Sequence, residues 1–251
     1  MNKTLDTYLG LCTEVYDLSK PVPEEDEYLF YRSYAEEAGG PILEPMCGTG
    51  RFLIPLIEEG FDISGFDASE HMLERLNLKA GEKKLTPEVW HGFVEDLRKD
   101  QKYKLIFVPS GSFGLIQDLN AAKSALKTLF DHLSEDGVFV FEGETLHGVP
   151  EPLGVWRGAV WYKTDGKMII SNQLATLDGE ICTSIGKYEL VDSNSITHTE
   201  IETLKVRLYE PTKMFKMLKE IGFKHVNMLK TYDRTESPGE NDPAIVYECR
   251  K

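Results

Sequence analysis

Residues 42–67, ILEPMCGTGRFLIPLIEEGFDISGFD, decide how the chain is read. A short apolar run ends on an acid and a proline. A turn with two glycines comes next, then apolar residues at helical spacing as far as Gly60, then a second β-rich run ending in Asp67. Pro45 has no N–H to continue a strand ladder, so it is a natural stop after Glu44. Strand, glycine turn, helix and strand in this order make a βαβ unit, with the helix expected over residues 50–60. Met46 stands where the first glycine of the usual cofactor turn would be. The turn tolerates it if its backbone keeps φ below zero, while Gly48 and Gly50 still permit close approach of a ligand.

The same alternation extends outward. A helix is expected over about residues 24–38, with acids in its first turn and Gly39-Gly40 at its end. After Asp67, Ser69 is placed to cap a helix over EHMLERLNLKAG that buries Met72, Leu73 and Leu76. PEVWHG and YKLIFVP read as the third and fourth strands, NAAKSALKTLFDHLSEDG as a helix ending in a turn, and VFVFEG as the fifth strand. Strands alternating with helices of this length indicate an α/β fold, Rossmann-like and doubly wound, on a mostly parallel sheet expected to hold seven strands. From about residue 151 the character changes to β-branched and aromatic runs with turn signals at TDGK, LDGE and VDSNS, the pattern of an antiparallel meander. Helix spacing returns at EPTKMFKMLKEIG, and FKHVNMLK and AIVYECR close the chain as two strands, the last antiparallel. The expected organisation is a core of residues 1–150 and 209–251, with residues 1–38 as N-terminal lid helices, and an inserted antiparallel β-sheet over residues 151–208.

Twenty-eight Lys and Arg against 42 Asp and Glu give a net charge of −14, which argues against nucleic acid as a partner. Cys12, Cys47, Cys182 and Cys249 show no metal-binding spacing, which points to no metal and no disulfide, in a reduced, cytoplasmic setting. No apolar run reaches the length of a membrane span, and the first ten residues lack a signal-peptide core. Composition does not separate a monomer from a homodimer.

Ligands of open α/β sheets bind at the carboxyl ends of the strands. Glu44 ends the first strand, Asp67 the second, and Asp96 lies just beyond the third, beside Glu95. A dinucleotide turn asks for a third glycine, where this chain has Leu53, and an acid at Glu44 is badly placed beside a pyrophosphate. S-adenosyl-L-methionine carries no phosphate and two positive groups, so acids are welcome around it. Asp67 has two oxygens for the ribose hydroxyls, and Asp96 can accept from the adenine amino group.

The chain resembles the class I S-adenosylmethionine-dependent methyltransferases, in particular bacterial small-molecule members with an added sheet over the active site. The resemblance rests on EVYDLSKP, on residues 42–73, on VEDLRK, FVPSGSFGLI and LSEDGVFVFE, and on the closing LYEPTKMFKMLKEIGF, in matching order and spacing over almost the full length. It implies that Glu44, Cys47, Gly48 and Gly50 form the loop under the methionine part of the cofactor. It further implies that Asp67 binds ribose, Ala68 and Met72 line the adenine slot, and Asp96 with the backbone at Leu97 reads the adenine edge. Tyr16 would close over the cofactor, and Ser110 and Ser112 would sit near the transferable methyl. The thioether of Met46 is expected to fill space beside the methionine end or the acceptor. The sequence departs from the pattern at Met46, at EDG before the fifth strand, and at Gly114-Leu115, where a histidine is frequent.

The activity implied is that of a transferase that methylates a small-molecule amine or hydroxyl by in-line displacement. No base announces itself; Tyr16, Ser112 and His147 are the candidates near the acceptor, and the missing histidine tilts the reading toward an amine or an already acidic group. Two other readings stand beside it: a non-catalytic cofactor-binding module, and a nicotinamide-dependent oxidoreductase disfavoured by the missing third glycine.

Overall fold

A computed structural model describes residues 5–97 and 100–251. Residues 1–4 of the expected lid and the last two residues of VEDLRK lie outside the described residues.

Two helices precede the sheet, α1 (Gly10–Ser19) and α2 (Glu25–Ala38). The core then alternates β1 (Ile42–Pro45), α3 (Leu53–Glu58), β2 (Ile63–Asp67), α4 (Glu70–Glu82), β3 (Glu88–His91), β4 (Tyr103–Val108), α5 (Leu119–His132) and β5 (Leu133–Glu144). β6 (Arg157–Tyr162), β7 (Met168–Asp178), β8 (Ile181–Asp192) and β9 (Ser195–Arg207) form successive antiparallel strands of a separate four-stranded sheet. The chain returns through α6 (Pro211–Ile221) to β10 (His225–Lys230) and β11 (Ala244–Arg250). The large sheet has seven strands in the order β10-β11-β5-β4-β1-β2-β3, parallel from β3 to β5, with β11 antiparallel to both of its neighbours. The strand order reverses at β1, which pairs with β2 on one side and β4 on the other, and so opens a crevice beyond its carboxyl end.

Side-chain alternation along β5 explains why both faces of the sheet are covered. Phe139 and Phe141 join the core made with α5 and α6, including Leu126 and Leu218, while Val138 and Val140 face the core made with α2, α3 and α4, including Tyr31 and Leu76. Ser69 caps α4 as expected, its hydroxyl accepting from the Met72 N–H at 3.2 Å.

Two elements differ from expectation. α3 holds only six residues, because residues 50–52 remain in the turn and helix begins at Leu53. β5 begins at Leu133 rather than Val138: α5 passes directly into extended backbone, and Leu133 pairs with Tyr103 before the register shifts.

α1 is held from two sides. Its N-terminal amides are met by acids of β9: Leu9 N–H donates to Glu202 at 3.1 Å and Leu11 N–H to Glu200 at 2.7 Å. Carboxylates at a helix N-terminus satisfy orphan donors and oppose the helix dipole. On its other side, buried Asp17 accepts from Arg75 at 2.7 Å and Lys79 at 2.6 Å, both on α4. Burial alone would raise the Asp17 carboxyl, but these two cations hold it below its ordinary value.

Candidate cofactor and acceptor site

The turn after β1 is built on positive φ. Met46 has φ +59°, Gly48 +54° and Gly50 +77°. The expectation of a negative φ at Met46 is therefore corrected: this residue adopts the left-handed conformation that glycine takes freely and a side chain resists. The reason lies on either side of it. Pro45 closes the β1 ladder, and Cys47 N–H must turn back to donate to Phe66 O at 3.0 Å. Met46→Gly is expected to keep affinity for S-adenosylmethionine within about tenfold, roughly 1.4 kcal/mol, since glycine fits this backbone without strain. Titration calorimetry checks it, and complete loss would mean that the Met46 side chain itself forms the ligand wall.

A cavity of about 510 Å³ opens above this turn, and the glycines divide the work around it. Gly48 lines the cavity, and its N–H donates to Asp67 Oδ2 at 2.8 Å. Gly50 faces α4 instead, where an added Cβ would stand 2.8 Å from Leu76 Cγ. Close packing of α3 on the sheet, which a third loop glycine usually permits, is achieved from the strand side. A Cβ on Gly65 of β2 would lie 2.6 Å from Leu53 Cδ1.

Asp67 closes the turn. Besides Gly48, it accepts from Ser69 N–H through Oδ1 at 2.8 Å, so each oxygen has one partner and spare acceptor capacity. Burial pushes its carboxyl up, against the lowering effect of those N–H groups. Glu44 lies deeper, beneath the turn. Burial drives its carboxyl well above the ordinary value, and its Oε2 has no hydrogen-bond partner. Cys47 is buried beside it, its thiol likewise raised by burial.

Among the expected cofactor residues, Met46, Gly48, Asp67, Ala68, Met72 and Glu95 line the cavity, and Ser110 and Tyr16 reach it from the loop after β4 and from α1. Glu44, Cys47 and Gly50 stand behind the turn and do not line it. Asp96 is exposed in the short helical turn after β3, and the Leu97 N–H is spent on Val94 O at 3.3 Å. Ser112 lines the cavity, whereas His147 is exposed and does not. The cavity continues without a break to the four-stranded sheet, where Gln173, Ser184, Tyr188, Glu202 and Thr203 form its far wall.

Behind the site lies a polar cluster that local sequence patterns do not reveal. Arg51 makes a buried two-pronged pair with Glu27 of α2, at 2.8 and 2.9 Å. Ser110 joins it, accepting from Arg51 and donating to Glu27 at 3.0 Å. Glu142 of β5 is buried nearby and accepts from Tyr232 at 3.1 Å. Burial first, then the negative charge of Glu27, push the Glu142 carboxyl up to about 7. The available signals are an arginine directly after the glycine turn and a glutamate inside the apolar VFVFEG.

Taken as a binding surface, these residues fit a cationic nucleoside. Asp67 offers free acceptor positions, Glu44 keeps an orphaned buried oxygen under the turn, and the acids outnumber the cations. Among the described residues there is no group of three His, Cys, Asp or Glu able to hold a metal ion, and all four cysteines are free and buried. No described helix is long and apolar enough to cross a membrane.

Comparison with known proteins agrees with this geometry. A family model described as "Methyltransferase domain" matches residues 42–137, the segment from β1 into β5. YqeM of Bacillus subtilis (strain 168), provisionally named a methyltransferase, is 24% identical over 252 residues, covering 97% of each chain. A similarly named protein of Geobacillus sp. (strain WCH70) is 23% identical over 134 residues, and the match spans 53% of each chain. Among solved structures, an S-adenosylmethionine-dependent methyltransferase from Clostridium acetobutylicum superposes with TM-score 0.78 at 19% identity, over 94% of this chain and 96% of that one. The sugar N-methyltransferase KedS8 from Streptoalloteichus sp. gives 0.76 at 18% identity, over 100% and 98%. With a seven-stranded sheet in this order, a glycine turn flanked by Glu44 and Asp67 at the switch point and the methyltransferase-domain match over that same turn, the chain carries a methyltransferase domain over residues 42–137 and shares the fold of the S-adenosylmethionine-dependent methyltransferases.

Proposed function

We propose that the protein transfers a methyl group from S-adenosylmethionine to a small-molecule acceptor held under the four-stranded sheet. The observation that carries this reading is the single continuous cavity, with the glycine turn and Asp67 at one end and Gln173, Ser184 and Thr203 at the other. A volume of about 510 Å³ suits a cofactor and a compact acceptor, not a polymer. In this reading residues 1–150 and 209–251 form the cofactor-binding core, residues 151–208 cap the acceptor, and α1 within residues 1–38 acts as the lid. The protein is taken to work in the cytoplasm, without nucleic acid or membrane as partner.

Asp67 would hold the ribose, Ala68, Met72 and Glu95 the adenine, and Gly48, Met46 and Ser110 the methionine end, with Tyr16 above. Asp96 and Leu97 would support the adenine side from outside the cavity. When bound, the cofactor supplies an electrophilic methyl group on a sulfonium. The chain's own residues then have three tasks: to exclude water, to orient the acceptor, and to accept its proton. Clamping of α1 between Asp17's cations and the two β9 glutamates serves the first. Ser112 and the far wall serve the second. KedS8, which shares the fold over the full chain, is a sugar N-methyltransferase, in line with a small polar acceptor here.

Incubation with S-adenosylmethionine radiolabelled in the methyl group and a library of small polar amines and alcohols tests the reading. Label recovered in a library compound is the expected result. Tight cofactor binding with transfer to none of them would favour a non-catalytic module.

A further inference from the structure

Glu144 is the last residue of β5, the strand next to β4 in the large sheet. Parallel pairing sets Val108 opposite Phe141, so Glu144 rises to the level of the loop Ser110-Gly111-Ser112. That loop makes room for it. Gly111 has φ +67°, and a Cβ there would stand 2.9 Å from Glu144 Cγ and 3.2 Å from its Oε1. The carboxylate thus rests against bare backbone and lines the cavity between the cofactor turn and the four-stranded sheet.

Its situation differs from that of Asp67 and Glu202 on the same wall. Asp67 is bonded to two backbone amides and Glu202 to the Leu9 amide. The Glu144 carboxylate, among the described residues, makes no hydrogen bond and no ion pair; Lys20, also on the cavity wall, is the opposing charge that acts on it. Burial pushes its carboxyl above the ordinary value, which is the direction that favours a proton acceptor near neutral pH. A half-buried carboxylate facing an enclosed space without a partner is an incomplete ion pair. The ligand that completes it is a cation with N–H donors.

We infer that Glu144 binds the acceptor through an amine, which fixes the substrate class as a primary or secondary amine over an alcohol. This rests on the proposed acceptor site. The amine arrives protonated, its N–H⁺ donates to Glu144, and proton transfer breaks that N–H bond and forms an O–H bond on the carboxylate. The nitrogen lone pair is thereby freed while the nitrogen stays beside Ser112.

The test reads binding rather than turnover. Wild type and Glu144→Gln are saturated with S-adenosylhomocysteine and titrated, by ligand-observed NMR over a millimolar range, with matched pairs: cyclohexylamine and cyclohexanol, benzylamine and benzyl alcohol, glucosamine and glucose. Wild type is expected to prefer the amine of at least one pair by about tenfold or more, and Glu144→Gln to lose that preference with S-adenosylhomocysteine affinity unchanged. Equal binding of amine and alcohol in every pair, binding of neither, or a preference that survives in Glu144→Gln overturns the assignment. Failure of wild type to bind S-adenosylhomocysteine at all would instead strike the cofactor reading beneath it.

Discussion

Asp67→Ala is expected to weaken S-adenosylmethionine binding by about 100-fold or more, roughly 2.7 kcal/mol. Two losses add. The carboxylate is the proposed ribose acceptor, and it also ties the glycine turn to the end of β2 by accepting from Gly48 and Ser69, both at 2.8 Å. Without it the Gly48 and Ser69 amides lose their partner, at about 1–3 kcal/mol each where water cannot replace it. Asp67→Asn separates the two parts. Its amide oxygen can still accept from one of the backbone donors, so an intermediate loss of about tenfold is expected. Calorimetry on both variants, with circular dichroism to confirm the fold, is the measurement. Unchanged affinity in Asp67→Ala would remove the ribose assignment and the site built around it.

Much of this architecture is legible in the sequence because it is written in local periodicity. The alternation of strand and helix points to the parallel sheet, and the shift to β-branched runs with turn signals points to the second sheet. Acids at strand ends are legible because Glu44 and Asp67 sit within four residues of glycines and break apolar runs; Asp67 lines the cavity, while Glu44 lies beneath the turn. The same rule, applied to the fifth strand, finds Glu142 and Glu144, the two acids of VFVFEGE that the strand pattern alone passes over. The Arg51–Glu27 pair is out of reach for a different reason. Its partners are 24 residues apart and meet only because α2 packs over the turn, so Glu27 reads locally as an ordinary first-turn acid. The backbone sign at Met46 is hidden likewise, because side-chain identity argues for negative φ while the Cys47–Phe66 hydrogen bond requires the opposite. Gly65 supplies the close helix–strand approach that Leu53 denies to the loop; a contact between two elements can be relieved from either one.

Glu142→Gln is expected to stabilise the protein, and to do so only as the pH rises. The wild-type carboxyl is pushed up to about 7 in the folded chain against an ordinary value of 4.5. Below pH 4.5 folded and unfolded chains both hold the proton, and the two proteins should differ little. Between 4.5 and about 7 the unfolded chain releases the proton while the folded chain keeps it, so wild-type stability falls with rising pH. Above 7 the folded state carries the full cost of an ionised carboxylate beside Glu27, about 3 kcal/mol. A glutamine keeps an acceptor for Tyr232, whose hydroxyl donates to this position at 3.1 Å, and removes the charge that Glu27 opposes. Thermal melts should therefore coincide near pH 4.5 and separate by up to roughly 6–12 °C at about pH 8, the variant being higher. A variant less stable at every pH would mean that the ionised Glu142 balances Arg51, and that the cluster behind the cofactor turn is held by charge rather than merely tolerating it.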